Sequence, residues 1–536
     1  MLGDRVQTDS SHLDYKLAFG SADKRSLFAG SKLSRCLTAA NAFLIACLLV
    51  ASIANAGNTR ARGSTPIGPA ILASYLKSSN MEADDRLGSA VALSANTLVV
   101  GAPGEDGSSS GDGTDNSAPL SGAAYVFARS GSGTWSQTAY LKATNAGNSD
   151  QFGSAVAISG GTIVVGAIFE DSASSDPNDN SANAAGAAYV FVRDGKGGWR
   201  QQAYLKASNA EAGDRFGYSV AVSGDTIAVG AIGEASGDST NPDDNSATRA
   251  GAVYVFARDG DSWAQQDYLK ADNIDSQDEF GFSVDMSGPL IVVGAPNEDG
   301  SATGVNGQED NLSDSAGAAY LFEKVNDNDW IQAAYLKASN SQSNDRFGSA
   351  VAISATTVVV SAPDENRNAT GVGGEAAPVP AIRSGAAYVF ELNEVDDWAQ
   401  SAYLKASNTD TQDRFGVSVA ASGDLVIVGA PFEDGRSGGA PSSNVRPDSG
   451  AAYVYARQAG GDWVFDSYYK ALNPGSGDAF GSAVDINGDI VVAAAVEEDG
   501  AATSIDGDQF DNSAEGAGAV YAYRGLPWIF ADRFER

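Results

Sequence analysis

Histidine and cysteine are almost missing from this 536-residue chain, which contains only His12, Cys36 and Cys47. All three lie in a leader segment that resembles an export signal. Once that segment is removed, the chain can form no disulfide, no Cys/His zinc site and no Ser-His-Asp triad. We therefore expect an exported fold that is held together by its hydrophobic core alone.

Basic residues are also scarce, with 34 Lys and Arg against 68 Asp and Glu and a formal net charge of −34. Binding to a phosphate backbone requires clustered Lys and Arg, so we expect no nucleic-acid partner. An acidic balance of this kind fits a soluble extracellular protein, a cation binder or a partner of basic surfaces.

The leader itself has the order of elements that a secretory signal requires. The basic residues Lys24, Arg25, Lys32 and Arg35 precede the apolar stretch 42–53, and Ala54-Asn55-Ala56 resembles a small-residue cleavage site. The apolar stretch is shorter than the ~20 residues of a spanning helix. We predict a signal peptide at 1–56, a linker at 57–70 and no membrane span after cleavage. An uncleaved anchor and a translation start further downstream both remain open.

A single motif recurs seven times after the leader, with a period of 64 to 68 residues. It reads Tyr-Leu-Lys, then Asn, then Asp-x-Phe-Gly, with small departures in the first and last copies. We expect its lysines and aspartates to be structural, through Lys–Asp pairs or aspartate-to-backbone bonds between repeats, because a single ligand would not need seven equal sites. These positions are Lys77, Asp85, Lys142, Asp150, Lys206, Asp214, Lys270, Asp278, Lys337, Asp345, Lys405, Asp413, Lys470 and Asp478.

Each repeat reads as four β-strands. In residues 152–206, two apolar runs separated by Gly160-Gly161 are typical of buried strands. A long polar loop, a third strand and a half-exposed fourth strand follow. Small residues in the first two strands and aromatic residues in the last two favour a wedge, with its narrow side near an axis.

The two chain ends determine how the wedges assemble. The repeats begin with a lone fourth strand at 71–77 and end after a third strand at 519–523. A closed ring would join these fragments into one sheet and leave no exposed edge. We therefore predict an all-β, seven-bladed β-propeller over 71–525, with four antiparallel strands per blade and an N-terminal strand that completes the last blade. The C-terminal tail, 526–536, could instead supply that strand, although Pro527 disfavours it. If the tail is separate from the propeller, it resembles the sorting tags of exported bacterial proteins or forms a disordered end.

The repeats resemble the FG-GAP family, in which Phe-Gly is followed by Gly-Ala-Pro, as at Gly101-Ala102-Pro103 and Gly294-Ala295-Pro296. The resemblance covers 71–525. It implies the seven-bladed propeller of integrin α chains and of many bacterial surface and secreted proteins. It does not indicate an activity, since one fold hosts many roles. Together with the leader, we expect a secreted, periplasmic or cell-surface location in a bacterium. Integrin-type repeats bind calcium in a loop between the first two strands. Here that turn is too short, as at Ser223–Thr226, so the family's calcium residues cannot be transferred.

Acidic residues mark both ends of the long loop between the second and third strands. Loop start and loop end must converge because they join paired strands, so their oxygens either bind Ca²⁺ or cap their own turns as Asx-turns. No cofactor is required by the second alternative. The candidate calcium ligands are Glu105, Asp106, Asp115, Asn116, Glu170, Asp171, Asp179, Asn180, Asp244, Asn245, Glu298, Asp299, Asp310, Asn311, Glu498, Asp499, Asp511 and Asn512.

The leading functional hypothesis is a non-catalytic, monomeric binding or adhesion module that presents these acidic loops to an unknown protein or glycan. One alternative is a glycan-active enzyme that uses paired loop carboxylates such as Glu309-Asp310. Against it, no residue stands out from the repeat, and histidine, the commonest general base, is missing after the leader. The other alternative is a structural surface scaffold, which would assemble with itself.

Overall fold

The computed structural model describes residues 71–109, 113–177, 179–308, 310–326, 329–374, 380–393, 397–435 and 444–524. The predicted signal peptide, linker and C-terminal tail lie outside these residues, as does Glu309. The described part of the chain is all β-structure, without a helix. In chain order its strands are β1 (Ile71–Leu76), β2 (Ala90–Ser94), β3 (Thr97–Ala102), β4 (Ala123–Arg129), β5 (Trp135–Leu141), β6 (Phe152–Ser159), β7 (Thr162–Ala167), β8 (Ala187–Arg193), β9 (Trp199–Leu205), β10 (Phe216–Ser223), β11 (Thr226–Ala231), β12 (Ala252–Asp259), β13 (Ser262–Leu269), β14 (Ser283–Ser287), β15 (Leu290–Ala295), β16 (Gly304–Val305), β17 (Ala318–Lys324), β18 (Trp330–Lys337), β19 (Val351–Ser354), β20 (Thr357–Ala362), β21 (Gly371–Val372), β22 (Ala386–Leu392), β23 (Trp398–Lys405), β24 (Ser418–Ser422), β25 (Leu425–Ala430), β26 (Ala451–Arg457), β27 (Trp463–Tyr469), β28 (Phe480–Asn487), β29 (Ile490–Ala495) and β30 (Ala519–Arg524).

These strands form seven antiparallel sheets that are the blades of a propeller, which confirms the predicted fold class. Blades 1 to 6 each take four consecutive long strands, and blade 7 has the order β1-β30-β29-β28. In blade 7, Tyr75 of β1 lies opposite Tyr521 of β30. The N-terminal strand therefore completes the last blade, as the phase of the repeats predicts.

Two short strands were not foreseen. In blades 4 and 5 the long loop folds back so that β16 pairs with β18 and β21 pairs with β23. The loop of blade 7 makes a similar contact with β1, where the Asp506 N–H donates to the Tyr75 carbonyl at 2.8 Å. These loop segments cover the outer edge of their blades, which would otherwise present unpaired backbone groups to solvent.

The hydrophobic core lies between neighbouring sheets, with one cluster at each of the seven junctions. At the junction of blades 1 and 2, Phe152 is fully buried and contacts the rings of Tyr189 and Phe191 edge-on, with centroids 5.4 and 5.9 Å apart. Burial of such a ring contributes about 1.5–3 kcal/mol. Each sheet buries both of its faces only because it has two neighbours. The stability of one blade therefore depends on the blades beside it.

The glycines of the repeat motif allow adjacent blades to touch. A Cβ on Gly101 of β3 would lie 1.9 Å from the carbonyl oxygen of Gly153, which itself has φ +97°. A side chain at this position therefore requires the two backbones to move apart; Ser361 and Ala494 occupy it in blades 5 and 7. The same approach occurs at Gly166 and Gly217, Gly230 and Gly281, Gly294 and Gly348, and Gly429 and Gly481.

Hydrogen bonds near the axis also join the blades. At six junctions, the serine that ends an inner strand accepts a backbone N–H from the first turn of the next blade, as from Gly160 to Ser94 at 3.2 Å. At the seventh junction, where the chain ends meet, Asn487 takes the serine position. There, the Asp485 carboxylate of blade 7 accepts the N–H of Leu93 of blade 1 at 2.6 Å.

Candidate functional site: the acidic loop face

One face of the propeller carries the long connections between second and third strands, such as 168–186 in blade 2 and 363–385 in blade 5. The links from each fourth strand to the next blade emerge on the same face, because second and fourth strands run in the same direction. On the opposite face the turns between first and second strands have only two residues, as at Gly160-Gly161. A two-residue turn cannot wrap a cation that needs six to eight oxygen ligands, so the calcium loop of integrin-type repeats does not fit here.

A buried ion pair joins the long loop of every blade to the fourth strand of the same sheet. In blade 4, Lys337 Nζ lies 2.7 Å from Glu298 Oε2, and both side chains are essentially inaccessible to solvent. Burial lowers the pKa of Lys337, and the Glu298 carboxylate opposes this shift. The equivalent pairs are Lys142–Glu105, Lys206–Glu170, Lys270–Glu234, Lys405–Glu365, Lys470–Glu433 and Lys77–Glu498.

Most of these glutamates also accept hydrogen bonds from a tyrosine and an asparagine of the repeat motif. Glu298 Oε1 accepts the Tyr335 hydroxyl at 2.8 Å and the Asn273 amide of the preceding link at 3.1 Å. In blade 1, Glu105 has the same pair of partners in Tyr140 and Asn80, and it also accepts the Gly107 N–H. In five blades the Tyr, Lys and Asn of the repeat motif therefore converge on one carboxylate, which ties the loop to the sheet and to the link that enters it. In blade 3, Asn209 instead donates to the Pro242 carbonyl.

The lysines thus pair with glutamate rather than with the motif aspartate that the sequence suggested. Each motif aspartate instead accepts a backbone N–H three residues earlier, as Asp150 does from Gly147 at 2.7 Å. This is the aspartate-to-backbone alternative, but the bond closes a local turn and does not cross between blades. Burial raises the pKa of these aspartates, to about 6 in Asp150 and to about 8 in Asp278.

The second acid of the loop start holds the loop end. Asp106 accepts the Leu120 N–H at 2.7 Å, and Asp171 accepts the Ala184 N–H at 2.8 Å. Asp299 and Asp499 make the same bond to Ser315 and Gly516. Leu120 and its counterparts have positive φ, 54° in Leu120. In a residue with a side chain this conformation costs free energy, and it persists only where surrounding contacts hold it. Loop start and loop end therefore converge as expected, and these carboxylates stabilise the corner.

The Asp-Asn pairs near the loop end mostly make contacts within the loop. Asp310 accepts the Ser301 N–H and hydroxyl at 2.7 and 2.8 Å, and Asp244 accepts the Gly237 N–H at 3.0 Å. Asp115 accepts from Ser117 and Ser108, and Asp179 from Ser174. The amides of Asn116, Asn245 and Asn311 donate to Glu82, Glu211 and Asp275 of the link before their blade.

The predicted calcium ligands are therefore distributed over three separate sets of contacts in each loop. The glutamates face lysines, the neighbouring aspartates face backbone N–H groups, and the Asp-Asn pairs face the loop or the link. Among the described residues, no three acidic, His or Cys side chains are grouped so that they could hold a metal ion. The Ser117 N–H bond to Asp115 has the two-residue spacing of an Asx-turn. Most of the other carboxylates accept N–H groups 9 to 16 residues away, so they close the loop rather than cap their own turn.

Three glutamates of the network, Glu234, Glu365 and Glu433, are absent from the candidate ligands, and the pairing of all seven with lysine was also missed. A signal for them exists: glutamate stands four residues after the glycine position of the Gly-Ala pair in every repeat, from Gly101 and Glu105 to Ala494 and Glu498. The lysine follows 36 to 40 residues later in blades 2 to 5, so only the strand order shows that the two meet.

Comparison with known proteins agrees with this geometry. The FG-GAP repeat family model matches residues 73–127, 135–191, 199–256, 263–322, 330–390 and 398–455, well over half of the chain. Each matched segment joins the fourth strand of one blade to the first three of the next, and the structure adds a seventh unit after residue 455. A search of curated proteins returned no match. No helix in the described ranges has the length and apolar character needed to cross a membrane. The chain belongs to the FG-GAP repeat family.

Proposed function

We propose that this protein is a non-catalytic, exported binding module whose acidic loop face contacts a partner protein or glycan. The proposal rests mainly on a contrast within the long loops. Their base, where each loop meets its sheet, is the same in every blade, whereas their tips differ in length and sequence. The base is the seven buried Lys–Glu pairs, whose charges are neutralised and whose side chains are unavailable to a partner. Variable loops on a rigid scaffold are where recognition commonly lies.

Exposed apolar side chains on the loops support the same proposal. Leu312 and Phe510 are 79% and 78% exposed, and Ile382 and Val445 are also exposed. All four belong to long loops, which otherwise carry Asp, Asn and Ser. Single exposed apolar side chains are common on protein surfaces, but these four would supply apolar contacts of the kind found in the core of an interface.

The repeated chemistry of the face also favours binding over catalysis. A general acid and base require two groups with different environments. Here burial raises the pKa of the motif aspartate in every blade, and each of these aspartates accepts a backbone N–H three residues earlier, so the raised pKa values reflect a shared structural position. The resemblance to repeats of cell-surface and secreted proteins agrees with export and adhesion.

The purified chain can be screened against arrays of extracellular proteins and glycans, followed by affinity measurement on each ligand found. We expect Leu312→Ser and Phe510→Ser to weaken binding by about tenfold, roughly 1.4 kcal/mol. Val325→Ser is the matched control, because Val325 is 51% exposed and lies between the third and fourth strands, on the other face. If the affinity for a partner changes in the control variant but not in the loop variants, the proposal that the loop face binds the partner is refuted. Concentration-dependent self-assembly without a heterologous ligand would favour a surface scaffold instead.

Calcium dependence is a separate question within this proposal. Calcium would have to compete with the backbone and serine donors that now occupy the loop carboxylates. We therefore expect the melting temperature to be equal in calcium and in chelator, since a ligand that binds the folded state raises stability. A rise of several degrees in calcium, abolished by Asp115→Asn with Asp310→Asn, would instead assign the loops to a metal.

A further inference from the structure

A cavity on the face opposite the long loops is lined by three arginines. It has a volume of about 370 Å³ and lies between blades 2 and 3, beside the turns between first and second strands and between third and fourth strands. Arg193 and Arg200 of blade 2 and Arg258 of blade 3 line it, together with a single carboxylate, that of Asp261. In a chain with a formal net charge of −34, the lining of this cavity therefore has the opposite sign to the protein as a whole.

Two departures from the repeat are confined to blade 2. The residue that follows the tryptophan of the fourth strand is Arg200 in blade 2, and in the five other blades with this tryptophan it is uncharged: Ser136, Ala264, Ile331, Ala399 and Val464. The second residue of the first turn is Gly161 in blade 2, and it has a side chain in every other blade: Asn96, Asp225, Pro289, Thr356, Asp424 and Asp489. Blade 2 therefore has an additional positive charge and lacks the turn carboxylate of blades 3, 6 and 7, and the other blades show that the fold requires neither change.

The glycine in the turn leaves Arg193 without the partner that its counterpart in blade 3 has. There, Arg258 Nε donates to the turn carboxylate of Asp225 at 2.7 Å. A Cβ on Gly161 would lie 3.7 Å from Arg193 Cγ, so this arginine is beside the place where a turn carboxylate would begin. Arg193 instead lies over the Trp199 ring, 4.1 Å from its centroid, and donates to Thr97 at 3.3 Å. Within the described ranges no carboxylate pairs with Arg193, so its charge is available to a ligand.

Contacts across the junction of the two blades hold the other arginines in place. Arg200 and Gln202 of blade 2 both donate to Asp261 of blade 3, at 3.3 and 3.1 Å. Arg258 of blade 3 donates to the Thr162 hydroxyl of blade 2 at 3.3 Å. A guanidinium group has five N–H donors, so these bonds leave donors for a ligand. The Asp261 side chain is 87% exposed, and because such a surface pair contributes little to stability, a bound anion can replace it.

The chemistry of this lining favours an anion with several oxygen atoms. Guanidinium groups bind oxyanions through paired N–H donors, and three of them around one cavity suit a tetrahedral group better than a carboxylate with two oxygens. The arginines outnumber the carboxylates even when Asp225 is counted with Asp261, so the cavity raises the local concentration of anions. Its volume is near the lower end of small-molecule sites, about 300–1,000 Å³, which leaves room for the group that carries the oxyanion.

We propose that the cavity formed by Arg193, Arg200 and Arg258 binds a tetrahedral oxyanion, a phosphate or sulfate group. Such a group occurs as a free ion and as an ester on a sugar. This inference goes beyond the proposed binding function, because the site lies on the face opposite the long loops and uses none of their residues.

Isothermal titration calorimetry on the purified chain tests the proposal with four probes: glucose 6-phosphate, glucose 6-sulfate, inorganic phosphate and glucose. We expect at least one of the three anions to bind about tenfold more tightly than glucose, with affinity falling as salt rises. An ester that binds more tightly than inorganic phosphate would support the proposal with a sugar ester as the ligand, and equal affinities would support it with the free ion. No binding of any anion, or binding no tighter than that of glucose, overturns the proposal.

Substitutions locate the binding. Arg200→Ala, Arg193→Leu and Gly161→Asp each give blade 2 a residue that another blade has at the same position, so we expect the fold to persist and the affinity for the anion to fall about tenfold. Arg457→Leu is the matched control, because Arg457 has the repeat position of Arg193 in blade 6, where it pairs with Glu391 at 3.1 Å, and it should leave the affinity unchanged. An affinity unchanged in all three blade 2 variants would place the anion elsewhere and overturn the site.

The two proposals can fail separately. If no anion binds but Leu312→Ser and Phe510→Ser weaken the binding of a partner, the oxyanion site is refuted and the proposal for the loop face stands. If an anion binds and responds to the blade 2 variants while no partner responds to the loop variants, the proposal for the loop face is refuted and the oxyanion site stands.

Discussion

Removal of one charge from a buried Lys–Glu pair should destabilise the whole ring. We choose Glu298→Gln because Lys337 and Glu298 are both fully buried and their charged atoms are 2.7 Å apart. At an effective dielectric constant of about 20, two unit charges at this distance attract each other by about 6 kcal/mol. Most of that attraction offsets the cost of taking both groups out of water, several kcal/mol each.

The substitution removes the attraction but leaves the cost of burying Lys337. The new side-chain amide could still accept hydrogen bonds from Tyr335 and Asn273, so the expected loss is that of an unpaired buried charge, about 3–5 kcal/mol. For a domain of roughly 450 residues, an unfolding entropy of about 2 cal/mol/K per residue converts this into about 3–5 °C of melting temperature. Denaturant unfolding followed by tryptophan fluorescence gives the free energy directly.

Two further variants make the measurement decisive. Glu323→Gln neutralises an exposed carboxylate on β17 of the same blade and should change stability by less than about 0.5 kcal/mol. Glu298→Leu combined with Lys337→Met removes both charges and should recover most of the loss, because hydrophobic replacement of a buried pair is often neutral. A loss below about 1 kcal/mol in Glu298→Gln, or a double variant as unstable as the single one, would refute the reasoning.

Three other predictions follow from the same geometry. Gly294→Ala should lower the free energy of unfolding by more than about 3 kcal/mol or prevent folding, because the new Cβ would lie 2.0 Å from the Gly348 carbonyl oxygen. The control Gly131→Ala, whose Cβ would have no atom within 4 Å, should change the denaturation midpoint little. Leu76→Ala in β1 and Leu404→Ala in β23 should each lower the free energy of unfolding by about 2–5 kcal/mol, because both leucines are fully buried at the same repeat position. A much smaller loss for Leu76→Ala in urea unfolding would mean that the N-terminal strand does not close the ring. Burial raises the pKa of Asp485 to about 7, so the folded state holds a proton that the unfolded state releases near pH 4, and stability should fall as pH rises from about 4 through about 7. Asp485→Asn should reduce that fall by at least about 1 kcal/mol in unfolding curves measured across this range, and an unchanged pH profile would contradict the assignment.

Much of the fold follows from the sequence for two reasons. The motif recurs at a nearly constant spacing, and the first and last repeats begin and end at different strands. The alternation of apolar runs and tight turns in 152–206 predicts β6 to β9 to within one residue at most ends. The lone strand at 71–77 predicts closure, since a ring requires the same number of each strand. The short strands β16 and β21 could not be predicted, because two residues of loop carry no periodic signal.

The loop chemistry was only partly predictable. The convergence of loop start and loop end follows from strand pairing, and Asp106 and Asp171 show it. The sequence suggests the motif aspartate as the partner of Lys142 because the two are close along the chain. The structure instead brings Lys142 to Glu105, since the second and fourth strands of a blade both end at the loop face.

The sequence by itself determined the number of blades, their strand order and the closure of the ring, because identical units of fixed spacing can bury both faces of every sheet only by stacking in a circle. It also showed where glycine is required, although not which backbone each glycine meets. Only the tertiary structure decided which side chains share a site. Tyr218 and Phe282 are 64 residues apart and meet because neighbouring blades place the same repeat position beside the axis.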